Sequence, residues 1–231
     1  MASEPSASGQ PSGEGRAEIP RDTARVRHLY ERAAARYDRG IQGWERLLLG
    51  DGRAWVGARA QGAVLEVGIG TGRNLAHYSS DARLVGLDLS PAMLAIAERR
   101  AHDLGRTVDL WLGDAQALPF DAATFDTVVV TLALCSIPDH RQAVREMRRV
   151  LRDDGRLVWL EHVRSPLGPV RAVEWLLEPL SLRLAADSLL REPLESIAAT
   201  GLQVEQLERS AWGIIERGVA RASGTATIGG R

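Results

Sequence analysis

Lysine is missing from this chain altogether; all 29 basic side chains are arginine. That absence excludes an enzyme working through a lysine Schiff base, and a nucleotidase whose phosphate loop grips with lysine. Cysteine is nearly as scarce. A single one, Cys135, rules out an internal disulfide framework and points to a reducing, cytoplasmic compartment. No apolar run reaches the roughly 18 residues of a spanning helix, so stable membrane insertion is not expected. The opening MASEPSASGQPSGEG lacks the basic and apolar regions of a signal peptide. A net charge of -1 leaves no electrostatic footprint for nucleic acid.

What is present suffices for one large domain: 231 residues, 45% of them hydrophobic. Residues 1–20, rich in Ser, Gly, Pro and Glu, read as a disordered tail, residues 21–221 as the domain and 222–231 as a second flexible tail. Val26, Leu29, Tyr30 and Ala33 recur at helical spacing and predict a helix from Arg21 to Tyr37, followed by a mixed segment around Trp44 and Trp55. AVLEVG is a short strand stopped by glycines, with a brief helix from about Arg73 and then the strand RLVGLD. SPAMLAIAERRAHDLG is a helix capped by Ser90, with Pro91 at its first position and Gly105 closing it. VDLWLG and FDTVVVTL are strands, DHRQAVREMRRVLRDDG is an amphipathic helix ending at Gly155, and RLVWLEHV is a fifth strand. LQVEQLER and IIERGVARA form an antiparallel edge pair. Strands alternating with helices predict an α/β fold, a doubly wound and mostly parallel sheet.

In such sheets ligands sit outside the carboxyl ends of the strands. The first end reads LEVGIGTGRN, where Gly68, Gly70 and Gly72 let the backbone turn tightly and approach a ligand. A dinucleotide fingerprint would carry its third glycine at position 73, which is Arg73. Asp88 closes the second strand, where a carboxylate can accept hydrogen bonds from ribose hydroxyls. Asp114 follows the third, where it can accept from an exocyclic amine. Each acid alone also fits a helix cap or a turn; three strand ends bearing glycines, Asp and Asp in register are hard to explain by capping.

LEVGIGTG, GLDLSPAML, GDAQALPF and FDTVVVTLALCSI, in this order, resemble the class I S-adenosylmethionine-dependent methyltransferases over roughly residues 60 to 165. The resemblance implies a Rossmann-like seven-stranded sheet whose last strand is antiparallel, and S-adenosylmethionine as cofactor. It implies that Glu66 holds the glycine loop, whose backbone cradles the methionine part of the cofactor with Asn74 and Thr131 nearby. By the same resemblance Asp88 binds the ribose, Leu89 and Met93 flank the adenine, and Asp114 with the Ala115 amide reads the adenine edge. Tyr37, in ARYDRG, resembles the Tyr-Asp ahead of the glycine loop in quinone and phospholipid methyltransferases of this class, and is expected to close over the cofactor.

The acceptor side is less legible, because displacement at an activated sulfonium asks chiefly for alignment and exclusion of water. Cys135 reads as a wall residue, since neither a neighbouring base nor metal-ligand spacing among the five histidines accompanies it. His162, at the end of the fifth strand, is expected to face the cleft and accept a proton, with Asp187 and His140 as further candidates of that kind; a histidine that only shapes the pocket is the plainer alternative. The leucine-rich GPVRAVEWLLEPLSLRLAAD is expected to cover the substrate, or else simply to pack on the sheet. Contact with a membrane surface is disfavoured, because arginine in this segment is sparse and mixed with glutamate.

These residues predict methyl transfer to a small, fairly apolar metabolite. TLALCSI, REMRRVLRDDGRL and LEHV resemble alkyl-thiol methyltransferases of the microsomal type, although no hydrophobic N-terminal anchor is expected, so a thiol sulfur is the expected acceptor. A phospholipid amine, or a quinol methylated on carbon or oxygen, is the alternative within the class. A nicotinamide oxidoreductase and a non-catalytic cofactor-binding module are the alternatives outside it. The first would bind NAD rather than S-adenosylmethionine, and the second would bind the cofactor without turning it over.

Overall fold

The computed structural model describes residues 21–222. The tails expected over 1–20 and from 223 onward lie outside the described residues, and Ala222 itself ends the last strand. The chain opens with helix α1 (Arg21–Leu48) and α2 (Gly52–Arg59), then alternates as β1 (Ala63–Val67), β2 (Arg83–Asp88), α3 (Pro91–Asp103), β3 (Val108–Leu112), β4 (Phe125–Thr131), α4 (His140–Val150) and β5 (Leu151–His162). It closes with α5 (Gly168–Leu184), α6 (Pro193–Ala198), β6 (Leu202–Ser210) and β7 (Ile215–Ala222).

The seven strands form one sheet in the order β3-β2-β1-β4-β5-β7-β6. Strands β1 to β5 run parallel, and β7 is antiparallel to both β5 and β6, the arrangement expected of this fold class. Because side chains alternate across a strand, β4 sends Val128 and Val130 to one core layer and Val129 to the other. The first layer packs α4 (Val144, Met147) and α6 (Ile197) on the sheet; the second packs α2 (Trp55, Val56) and the turn bearing Leu75 and Tyr78. Both faces of the central strands are thereby dry, which is why they read as continuous apolar runs.

Three local readings of the sequence change. Helix α1 runs eleven residues past Tyr37 to Leu48, and the expected mixed segment is helical. The glycines at 40 and 43 did not end it, because Asp38 and Glu45 are anchored to other elements and hold that stretch in place. The brief helix expected from Arg73 is a run of turns, with Leu75 N bonded to Gly72 O and His77 N to Asn74 O. Helix α4 stops at Val150 rather than near Gly155, since Leu151 already pairs with Phe125 of β4.

One close approach fixes the antiparallel edge. Gly218 of β7 lies over the indole of the fully buried Trp159, and a Cβ there would come within 2.2 Å of the ring. Gly218→Ala is therefore expected to cost about 1–3 kcal/mol through overpacking. A thermal melt checks this; an unchanged midpoint would show that the Trp159 ring has room to move.

Candidate functional site

The cleft lies at the carboxyl ends of β1, β2, β3 and β4, roofed by the first half of α1. It encloses about 870 Å³, part of it open to solvent. Its floor is the turn after β1. Gly68 has φ +71, and a Cβ there would sit 2.6 Å from the Cβ of Ala133, so only glycine lets the β1 and β4 turns approach this closely. Gly70, also left-handed, has nothing nearer than 4.0 Å beside its missing Cβ and lines the open cleft. Gly72 instead packs against Leu75 and Ala97 of α3 and does not line the cavity.

Asp88 is fixed from both sides. Its Oδ2 accepts the Gly70 N–H at 2.8 Å and its Oδ1 accepts the Ser90 N–H at 2.8 Å. Each carboxylate oxygen keeps a free lone pair, and the residue borders the cleft. Burial raises its pKa, opposed by the backbone amides of Ser90, Gly70 and Leu89. Leu89 and Met93 lie beside it on the cavity wall, with Asp114 and Ala115 on the wall from β3. Asp114 is occupied by a neighbour that the sequence did not single out. Gln116 donates to its carboxylate through both backbone and side-chain amides at 2.9–3.0 Å, and the same Nε2 reaches Thr23 of α1 at 3.1 Å.

Below the floor is a buried polar network. Glu66 accepts Asn74 Nδ2 at 2.9 Å and Tyr78 OH at 2.8 Å; Asn74 also donates to Thr131 Oγ1 at 3.0 Å and accepts from Arg53 Nη1 at 2.8 Å. Glu66 and Thr131 border the cavity, whereas Asn74 sits behind them. Burial pushes the Glu66 carboxyl up to about 7, against the lowering by Tyr78, Arg53 and Asn74. Arg53 continues to Glu45 of α1, which also holds Arg73 at 2.6 Å; Asp38 of α1 takes Thr71 at 2.7 Å and pairs with Arg100 of α3. Arg73, the residue that spoils a dinucleotide fingerprint, is thus part of the clamp on the roof helix. Arg53, Glu45 and Asp38 were not expected; their only sequence signal is the seven-residue spacing that puts Asp38 and Glu45 on one side of α1.

Tyr37 does line the cleft, together with Tyr30 at a centroid distance of 6.2 Å. His162 does not. It lies against Trp44 and 3.9 Å from Glu174, its Nδ1 buried without a partner, and burial depresses its pKa to about 4. The structure therefore leaves the expected proton acceptor neutral and outside the cavity. Asp187 comes in from the loop after α5 and stands behind the tyrosines: burial and then the Asp187 charge raise the pKa of Tyr30, Tyr37 and Cys135. Its Oδ1 is buried with no hydrogen-bond partner. Cys135 is a buried thiol pushed well above its usual range, which suits a wall and not a nucleophile. His140 lies by Arg191, below its ordinary pKa through burial and that arginine.

A glycine turn open to a ligand, a carboxylate braced by two amides at the next strand end, and an acid at the third meet where sheets of the doubly wound class bind their ligands. Residues 65–159 match the methyltransferase domain family. The chain is 34% identical over 176 residues to a demethylmenaquinone methyltransferase of Renibacterium salmoninarum, covering 71% of each chain. It is 41% identical over 123 residues to a phosphatidylethanolamine N-methyltransferase of Cereibacter sphaeroides, covering 52% of this chain but only 60% of that enzyme. The crystal structure of an S-adenosylmethionine-dependent methyltransferase from Aquifex aeolicus superposes with a TM-score of 0.56 over 87% of this chain and 98% of that one; at 15% identity this likeness shows the fold. The chain belongs to the class I S-adenosylmethionine-dependent methyltransferases acting on small molecules.

Two outcomes test this geometry. Asp88→Ala is expected to weaken S-adenosylmethionine binding by about 1–3 kcal/mol, measured by calorimetry; unchanged affinity would remove Asp88 from the site. For Glu66, the carboxyl is raised in the folded state, so its contribution to stability is full below about pH 4.5 and is lost as pH climbs to about 7. The ligand-free protein should lose about 3 kcal/mol across that window on this account, and Glu66→Gln should flatten the slope in denaturant titrations. An equal slope in the variant would place the titration elsewhere.

Proposed function

We propose that this enzyme methylates the amine nitrogen of an apolar, lipid-like acceptor. The observation that carries the proposal is the unpartnered, buried Asp187 oxygen behind Tyr30 and Tyr37. In the cofactor half of the cleft, Asp88 holds the ribose, Leu89 and Met93 flank the base, and Asp114 and Ala115 read its edge. The Gly68–Gly70 turn receives the methionine part beside Glu66 and Thr131, with Asn74 behind them holding both. When bound, S-adenosylmethionine supplies an already activated methyl group, so the protein contributes alignment and a dry cavity.

The acceptor half is built from Tyr30, Tyr37, Leu132, Ser136 and Ile137. Two aromatic faces with a carboxylate behind them suit a nitrogen that starts protonated and becomes cationic again as it takes the methyl. Asp187, raised by burial, stands behind the cavity wall and not in it, so the ammonium proton would reach it through a tyrosine hydroxyl, and its charge balances the cation that returns during transfer. A quinol needs a base in the same place, and the similarity to the Renibacterium quinone enzyme makes it the second reading. A thiol, the acceptor suggested by resemblance, relied on His162; like Asp187 it does not line the cavity, but burial lowers its proton affinity where it raises that of Asp187.

Formation of S-adenosylhomocysteine with phosphatidylethanolamine, a menaquinol precursor and an alkyl thiol decides among the three. Turnover is expected on the amine, and Asp187→Asn should lower kcat by roughly 10²–10⁴-fold while leaving cofactor affinity unchanged. Turnover confined to the quinol or the thiol, or an Asp187→Asn variant of full activity, would defeat the amine reading.

A further inference from the structure

Helix α5 is held to the body of the protein along one narrow strip. Glu174 is buried and accepts the Ser165 N–H at 2.9 Å, while Glu178 turns inward to Ser188 Oγ at 2.8 Å and the Leu189 N–H at 2.6 Å. The rest of the helix presents large apolar side chains to solvent: Trp175 is 70% exposed, Leu176 71%, Leu180 55% and Leu184 66%. Monomeric soluble proteins rarely expose so many adjacent apolar side chains without using them. A second exposed tryptophan, Trp212, is held in left-handed backbone (φ 59) in the turn before β7, a conformation disfavoured for a bulky residue. That turn abuts the start of α5, because the Trp212 carbonyl accepts Ser165 Oγ at 2.8 Å and Gly213 packs on Pro166.

The charges of this region are sorted by sign. With both glutamates of α5 turned inward, its outward charges are Arg171 and Arg183. Helix α1 lies alongside, linked by Arg25 to the Leu182 carbonyl at one end and by Trp44, stacked on His162 beside Glu174, at the other. There Glu31, Asp38 and Glu45 are engaged by Arg27, Arg100, Arg53 and Arg73, while Arg32, Arg36, Arg39 and Arg46 are exposed and Asp22, in the first turn, is the one exposed acid of the helix. Leu47, 77% exposed, follows them. The balance of 29 arginines against 30 acids in the whole chain conceals this local excess of positive charge.

We infer that α5, the Trp212 turn and the arginine face of α1 form a docking surface for an anionic phospholipid bilayer. Exposed leucines and two tryptophans beside outward arginines are the composition of a helix lying in the headgroup layer. A second copy of the chain, meeting this face with the same face in a two-fold contact, would offer its arginines few acidic partners. The sequence before α1 offers little to cover the face, since Ile19 is its sole large apolar residue after Met1. No helix among the described residues is long and apolar enough to cross a membrane, so the contact is peripheral. The inference goes beyond the acceptor reading, and its readout is binding without turnover.

Sedimentation with phosphatidylcholine vesicles, with and without added phosphatidylglycerol, tests it. The full chain should pellet with the anionic vesicles and be released by salt. Each arginine near such a surface is worth roughly fivefold in partitioning, so Arg171→Glu with Arg183→Glu should reduce it at least tenfold. Trp175→Ser with Leu176→Ser should do the same, with S-adenosylmethionine affinity unchanged as the control for folding. Asp187→Asn, which probes the acceptor reading alone, should sediment like the unmodified protein. Full retention of the protein in the supernatant, or equal pelleting of the Trp175/Leu176 variant, would overturn the inference. So would a dimer in sedimentation velocity that these same substitutions dissociate.

Discussion

The arrangement of this enzyme depends on one buried ionic and amide network beneath the glycine turn. Glu66, at the end of β1, cannot be satisfied by water, so it draws in Asn74 and Tyr78, and Asn74 in turn draws in Arg53. The guanidinium of Arg53 is then paired by Glu45 from a helix that belongs to the roof. Removing any one partner would leave a buried donor, acceptor or charge without compensation, which costs more than the bond itself contributes. The network therefore acts as a specification: it fixes where α1 crosses the cleft and hence where Tyr30 and Tyr37 stand. Arg73 and Arg100 add two further ties from the loop and from α3 to the same helix.

That tie explains how few residues the chemistry needs. Floor, wall and roof are all bonded, directly or through one intermediate, to the turn between Gly68 and Gly72. Asp88 braces the Gly70 amide, Arg73 holds Glu45, and Gln116 joins the Asp114 loop to Thr23 at the entrance of α1. A cofactor seated against Asp88 and Asp114 would thus press on the same elements that shape the acceptor half. Glu161 contributes from the other side, accepting the amides of Ala133 and Leu134 at the end of β4, where burial raises its carboxyl to about 8.

The strand ends that border the cleft were legible in the sequence because the residues that mark them are local. Glycines, Asp88 and Asp114 are each fixed within a few positions of a strand, and strands are read from short-range pattern. The antiparallel edge pair was legible for the same reason, and the seven-stranded count followed from the family resemblance; the strand order came from the structure. The roof network was not, since Glu45 meets Arg73 across 28 residues and Asp38 meets Arg100 across 62. Nothing in ARYDRGIQGWERLL distinguishes a glutamate on a solvated face from one committed to an arginine elsewhere. His162 failed for a related reason. Its position at a strand end was read correctly, but the side chain follows Trp44 and Glu174 instead of the cavity, a choice made by α1 and α5.

Charge on α5 shows the same limit from the opposite direction. Counted along the chain, two arginines and two glutamates cancel, and the segment looks unsuited to an acidic surface. In three dimensions Glu174 and Glu178 are consumed by Ser165, Ser188 and Leu189, which terminate loops flanking the helix, and the arginines alone face out. The inward acids have a second consequence. The loop that Glu178 pins carries Asp187, and Ser188 N bonds the Cys135 carbonyl at 3.0 Å. Side chains that free the outer face of α5 of negative charge therefore also help to place the Asp187 carboxylate, one oxygen of which has no partner, behind Tyr30 and Tyr37. The exposed leucines of α5 and the buried aspartate of the loop after it are thus set by the same inward-turned acids of one helix.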